Sequence, residues 1–147
     1  MSANKNELWG IDLGGTKAEG VVLGARGLKD ILFRDRVPTG AENGYRHILN
    51  QIDALVRMME ASRGYRPAKL GIATPGTLDP TTGTMKGCNS ECMNGEAMKD
   101  DLSRLLGMEI FIANDANCFA LAETRMGVVK ENFPKANVVF GVIMGTG

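Results

Sequence analysis

Net charge, long apolar runs, paired cysteines and histidine are scarce or missing in this chain, and each absence removes a class of function. The 17 basic and 17 acidic side chains cancel, so nothing in the overall electrostatics draws it to nucleic acid or to an anionic membrane surface. No apolar stretch approaches the length of a membrane span. The opening residues, Met1 to Glu7, lack the apolar core of a signal peptide, so a cytoplasmic location is expected. Cys88, Cys92 and Cys118 are odd in number, which argues against a disulfide framework. Cys88 and Cys92 stand close in sequence without a second Cys or His pair nearby, so free thiols are expected rather than half of a zinc site. What remains is 147 residues, 44% of them hydrophobic, enough for one globular domain and its core.

The stretch Leu8-Trp9-Gly10-Ile11-Asp12-Leu13-Gly14-Gly15-Thr16-Lys17 organises the rest. An apolar strand delivers one carboxylate, breaks at two glycines, and returns as Gly20-Val21-Val22-Leu23. Adjacent glycines suit a tight primed turn, which needs positive φ. Without Cβ atoms, their N–H groups can also cradle phosphate oxygens. Thr16 can add a hydrogen bond, and Asp12 can hold magnesium through water. The same residues equally suit an ordinary hairpin with Lys17 in solvent.

Downstream, Ile31 to Val37 alternates as a third strand stopped by Pro38 and Gly40. Tyr45, Ile48, Leu49, Ile52, Leu55, Val56 and Met59 then recur at three- and four-residue steps, so an amphipathic helix spans roughly 42–62. His47 falls off that stripe and is read as a solvated helix residue with no catalytic role. Leu70 to Ala73 is a short buried strand ending at Thr74-Pro75-Gly76, and Thr77 to Gly95 has no clear period, as functional loops often do not. A helix over about 96–106 carries Met98, Leu102, Leu105 and Leu106 on one face and stops at Gly107. Glu109 to Ala113 is a strand that runs into Asn114-Asp115-Ala116-Asn117. A third helix continues from Cys118 to about Met126, and Asn137 to Met144 reads as a last apolar strand before Gly145-Thr146-Gly147. Helices alternating with strands define an α/β layer structure.

Three places besides the hairpin can carry chemistry. Asn114 and Asp115 lie at a strand's carboxyl end, where open α/β sheets bind ligands. A carboxylate there can accept the proton of an alcohol attacking phosphorus while Asn114 holds a neighbouring hydroxyl. Both residue types equally suit a helix N-cap. The loop Asn89 to Gly95 offers amides that donate and accept, as polyhydroxylated ligands require, or it is simply a solvated loop. Gly145-Thr146-Gly147 is a second phosphate cradle or a turn.

In combination, these segments resemble the N-terminal half of the ROK family (repressors, open reading frames and kinases) within the actin-like ATPase superfamily. Asp12 to Lys17 is similar to its first phosphate motif, Asn89 to its sugar-loop asparagine, Asn114 to Asn117 to its catalytic segment, and Ile143 to Gly147 to the start of its second phosphate motif. The wording of Asn89–Gly95 and Ala113–Glu123 is closest to bacterial fructokinases and mannokinases. The resemblance implies an actin-like (ribonuclease H-like) N-terminal lobe, a mixed sheet flanked by helices, over 1–135, with 136–147 opening a second lobe. It implies ATP- and Mg²⁺-dependent phosphorylation of a hexose. Asp115 would be the general base, and Asn89, Asn114 and Gly76 would meet the sugar. Asp12, Gly14, Gly15, Thr16, Lys17, Gly145, Thr146 and Gly147 would form the nucleotide side, with Asp12 supporting the metal. A zinc motif is expected only in the family's second half, and the chain alone is expected to be inactive because one lobe cannot close on the substrates. Cys92 stands where fructokinase-like relatives often carry an aromatic residue, which puts the sugar in question. A glucose or amino-sugar kinase and a sugar-sensing repressor lobe are the alternatives. Only seven residues precede Leu8, too few for a helix-turn-helix. Homo-oligomerisation through the apolar strand over 138–144 is expected.

Overall fold

The computed structural model describes residues 6–142. Strand β1 (Leu8–Leu13) buries Trp9, Ile11 and Leu13 on one face and turns Leu8, Gly10 and Asp12 to the other, the period-two alternation of a strand. It pairs antiparallel with β2 (Lys17–Leu23), which pairs antiparallel with β3 (Ile31–Pro38). Helix α1 (Tyr45–Arg63) then crosses to β4 (Lys69–Thr74), parallel to β1. A short hairpin, β5 (Thr77–Leu78) and β6 (Met85–Lys86), precedes α2 (Met98–Leu106). Strand β7 (Glu109–Asn114) lies parallel to β4 and is followed by α3 (Asp115–Met126) and α4 (Val128–Asn132). The five-stranded mixed sheet has the order β3-β2-β1-β4-β7.

The core lies between the sheet and the pair α1 and α2. All six apolar positions of the α1 stripe from Ile48 to Met59 are buried. Helix α1 sits so close to β2 that a Cβ at Gly20 would stand 2.9 Å from the Met59 sulfur and 3.1 Å from Leu55. Tyr45 Oη donates to Asp101 at 2.8 Å and ties α1 to α2. Beneath the sheet's far end, the Glu7 side chain is 2% exposed and receives Arg63 Nη2 at 2.8 Å and Tyr65 Oη at 2.5 Å, while Trp9 Nε1 donates to Tyr65 at 3.2 Å.

Several expectations are corrected. Leu105 is 46% exposed because the buried row of α2 is Met98, Leu102 and Leu106, and Leu105 lies on its flank. His47 is half-buried, its ring against Gly40, where a Cβ would overlap it. Gly40 has φ +61°, which only glycine adopts freely, and it turns the chain out of β3. The region 77–95 is not an unstructured loop. Asp79 accepts from the Thr81 amide and from Lys86 Nζ, closing the β5–β6 turn, and Met85 exchanges backbone bonds with Gly95 and Glu96. Helix α3 begins at Asp115, earlier than Cys118, because Asn114 caps it. Residues 137–142 form no strand: no sheet edge meets them, Gly141 rests against Phe119 and Ala120, and Val138, Phe140 and Val142 stay 87%, 88% and 61% exposed. No helix among the described residues is long and apolar enough to cross a membrane.

Candidate active site

The hairpin between β1 and β2 closes with the Leu13–Ala18 pair and a bond from the Gly14 amide to the Lys17 carbonyl at 2.9 Å. Neither Gly14 nor Gly15 has positive φ, so the primed turn expected from the sequence does not form. Gly14 matters for space instead. A Cβ at Gly14 would crowd the Lys17 carbonyl at 3.1 Å, whereas the side of Gly15 faces nothing within 4 Å. Thr39, 1% exposed, stands behind the turn: its hydroxyl donates to the Gly14 carbonyl at 2.7 Å and its amide to the Thr16 carbonyl at 3.0 Å.

Asp12 projects from the outer face of β1. Its carboxyl is held above the usual aspartate range, chiefly because surrounding protein strips it of water and next because Asp115 and Glu19 face it, against a smaller opposing effect of Lys17. Burial and the same two aspartates, Asp115 and Asp12, likewise push up the Cys118 thiol. A recess of about 870 Å³ between the outer sheet face and α3 is lined by Asp12, Asp115, Glu19, Cys118, Phe111 and Phe119, among others. A second recess of about 570 Å³ is lined by Gly14, Thr16 and Lys17 of the hairpin, by Arg34, Asp35 and Arg36 of β3, and by Asp12 and Glu19. Asp12 and Glu19 are common to both.

Asn114 ends β7 and caps α3, its Oδ1 accepting from the Ala116 amide at 3.1 Å and the Asn117 amide at 3.4 Å. Its Nδ2 makes only long contacts, 3.5 Å to the carbonyls of Pro75 and Gly76, and so keeps donor capacity toward a ligand. Asp115 follows in the first helical turn, where the helix dipole favours a negative charge. Gly76 is buried rather than open to substrate: a Cβ would overlap the Cys88 sulfur, and its carbonyl already accepts from Thr74 Oγ1 at 3.1 Å. The end of β4 therefore abuts Cys88, next to the exposed Asn89. Asn94 closes this loop, receiving the Cys88 amide at 2.9 Å and donating to the Cys88 carbonyl at 3.0 Å. Cys92 points its thiol at the Ala41 carbonyl, 3.6 Å away, and so is turned into the fold.

Asp12, Gly14, Thr16 and Lys17 line one recess, Asp12 and Asp115 line the other, and Asn89 stands on a neighbouring loop. Gly145, Thr146 and Gly147 lie outside the described residues. No group of three or more His, Cys, Asp or Glu side chains among the described residues is placed to hold a metal by itself. Asp12, its negative charge disfavoured first by loss of water and then by Asp115 and Glu19, would be the residue to hold a Mg²⁺ together with phosphate oxygens. Sequence reasoning missed Thr39, and it offered Asn94 as one of the loop's ligand-facing amides rather than as the residue that closes the loop. Pro38-Thr39-Gly40 marks the end of a strand, but no spacing rule says which distant carbonyls such a hydroxyl meets.

The mixed sheet with its flanking helices is the fold of the N-terminal lobe of actin-like α/β proteins. The ROK family model matches residues 8–147, and the chain belongs to the ROK family. It is 35% identical over 140 residues to the N-acetyl-D-glucosamine kinase of Aliivibrio salmonicida, covering 95% of this chain and 43% of that protein. The chain therefore spans less than half the length of the curated relatives it matches. A ROK hexokinase from Thermus thermophilus superposes with a TM-score of 0.71 at 28% identity, covering 84% of this chain and 40% of that one. A ROK family glucokinase from Streptomyces griseus, solved with glucose and AMPPNP, gives 0.70 at 29%, covering 83% and 37%.

Proposed function

We propose that this lobe serves ATP-dependent transfer of the γ-phosphoryl group to a hydroxyl of an aldohexose or its N-acetylamino derivative. The observation that carries the reading is that Asp12, beside the glycine hairpin, and Asp115, at the mouth of α3, line one recess. The hairpin amides receive phosphate oxygens, and Thr16 and Lys17 stand beside them. Mg²⁺ on Asp12 would supply positive charge to the phosphates. Asp115 accepts the proton of the attacking sugar hydroxyl as its oxygen bonds to phosphorus, so its placement matters more than a raised basicity. Asn89 and the free donor of Asn114 hold sugar hydroxyls. Activity is proposed for the lobe within a chain as long as its relatives, where a second lobe closes over the substrates and excludes water.

N-acetylglucosamine is the first sugar to test, ahead of the fructose and mannose suggested by the wording of the sugar loop and the helix-entry segment. The named kinase relative and the glucose-bound structure support aldohexoses, and Cys92, turned toward Ala41, is not placed to shape a fructose-specific wall. ADP release measured with N-acetylglucosamine, glucose, mannose and fructose tests this. The highest kcat/KM is expected for N-acetylglucosamine, and a preference for fructose would overturn the assignment.

A further inference from the structure

Both kinds of backbone group are present in a hairpin, and it attracts an anion only if its carbonyls are turned away and its amides are left unengaged. In this hairpin the Gly14 carbonyl accepts from Thr39 Oγ1 at 2.7 Å, the Thr16 carbonyl from the Thr39 amide at 3.0 Å, and the Lys17 carbonyl from the Gly14 amide at 2.9 Å. Three carbonyls are engaged behind the turn. The amides of Gly15, Thr16 and Lys17 have no acceptor among the described residues. The side of Gly15 is open, and its neighbours Gly14, Thr16 and Lys17 line a recess with Arg34 and Arg36 and with the carboxylates of Asp12, Glu19 and Asp35. Thr39 is itself held in place: Gln51 Nε2 of α1 donates to the carbonyl of the preceding Pro38 at 2.7 Å. The buried hydroxyl is 25 positions from its partner, so it fixes tertiary rather than local geometry.

We propose that Thr39 is a positioning residue of the phosphate site: it anchors the Gly14 and Thr16 carbonyls on the core side and so aims the Gly15, Thr16 and Lys17 amides at a phosphate chain. This rests on the hairpin being the phosphate site, and the test separates the two ideas. The probe is inorganic tripolyphosphate with Mg²⁺, titrated into the chain while the Gly15, Thr16 and Lys17 amide resonances are followed by NMR. Thr39→Val keeps the shape and removes the hydroxyl. Thr39→Ser keeps it.

The valine variant is expected to bind tripolyphosphate roughly 10-fold more weakly, the order expected from losing one hydrogen bond that holds charge-facing groups. The serine variant should stay within about 3-fold of the parent, whatever its melting temperature, because the bond is restored. A purely structural role would lower the melting temperature of the valine variant and leave its affinity unchanged. That result, or equal affinity in all three proteins, would overturn the role of Thr39 alone. Absence of any response of the parent's hairpin amides would overturn the phosphate assignment and the inference with it. Should Thr39→Val not fold, hydrogen exchange of the parent decides: Gly14 and Thr39 amides protected and Gly15 to Lys17 exchanging freely support the role, and protected Gly15 to Lys17 amides contradict it.

Discussion

On the side of the sheet under α1 and α2, Ile48, Ile52, Leu55, Met59, Met98 and Leu102 are fully buried, and Gly20 lets α1 approach the backbone itself. On the opposite side α3 has no fully buried residue, Phe111 and Phe119 stay 48% and 43% exposed, and the two aspartates share an open recess. One set of strands serves both sides. The packed side supplies the hydrophobic stabilisation and holds the strands in register. The open side carries carboxylates whose charges would be costly in a closed core and uses the strand ends to aim them. The packed core and the candidate site thus lie on opposite faces, joined through Gln51 and Thr39 from α1 to the glycine hairpin.

The largest effect that would break this division is on turnover. Asp115→Asn, assayed in a chain as long as the ROK relatives, should lower kcat by about 10²- to 10⁴-fold, the usual contribution of a positioned base. Its melting temperature should stay near that of the parent, and normal turnover would remove Asp115 from the chemistry. Next, Leu55→Ala on the packed side should cost about 2–5 kcal/mol in chemical denaturation, while Phe119→Ala on the open side should cost about 1 kcal/mol or less. Equal losses would erase the contrast.

A smaller effect, tied to pH, concerns Glu7. Its carboxyl is held below the usual glutamate range, first by the hydrogen bond from Arg63, against the raising effect of desolvation and with further help from Tyr65. A depressed carboxylate adds stability that is fully present above its unfolded pKa and is lost as pH falls through the folded value. Glu7→Gln should therefore flatten the acid side of the stability profile and leave the slope above the ordinary glutamate range unchanged. An unaltered acid limb would contradict the coupling. Smallest of all, Asn114→Ala should cost about 1 kcal/mol as a lost helix cap, read as a lower melting temperature.

Strong periodicity made the packed side legible. The stripe of α1 from Ile48 to Met59 and the alternation of β1 follow from residue type and spacing alone. The open side was legible as chemistry but not as geometry. Asp12 was singled out by the glycines that follow it and Asp115 by its place at a strand end, and Asn114 proved to be a helix cap. Neither Gly14 nor Gly15 proved to have positive φ; Gly14 is needed for space, and the side of Gly15 is open. The side chains of Thr39 and Asn94 act through one and two hydrogen bonds to backbone groups, that of Thr39 to one 25 positions away, and such pairings leave no period. Apolar Val138, Phe140 and Val142 read as a strand, but a strand also needs an edge to join, which composition cannot supply.

The central claim is that the hairpin and the mouth of α3 face one ligand space. Replacing Mg²⁺ with paramagnetic Mn²⁺ in the presence of AMPPNP and following amide broadening by NMR tests it most directly. The account expects concurrent broadening of Asp12 to Lys17 and of Asp115 to Cys118, with the α2 residues Met98 to Leu106 spared. Broadening of one site with the other untouched would contradict it.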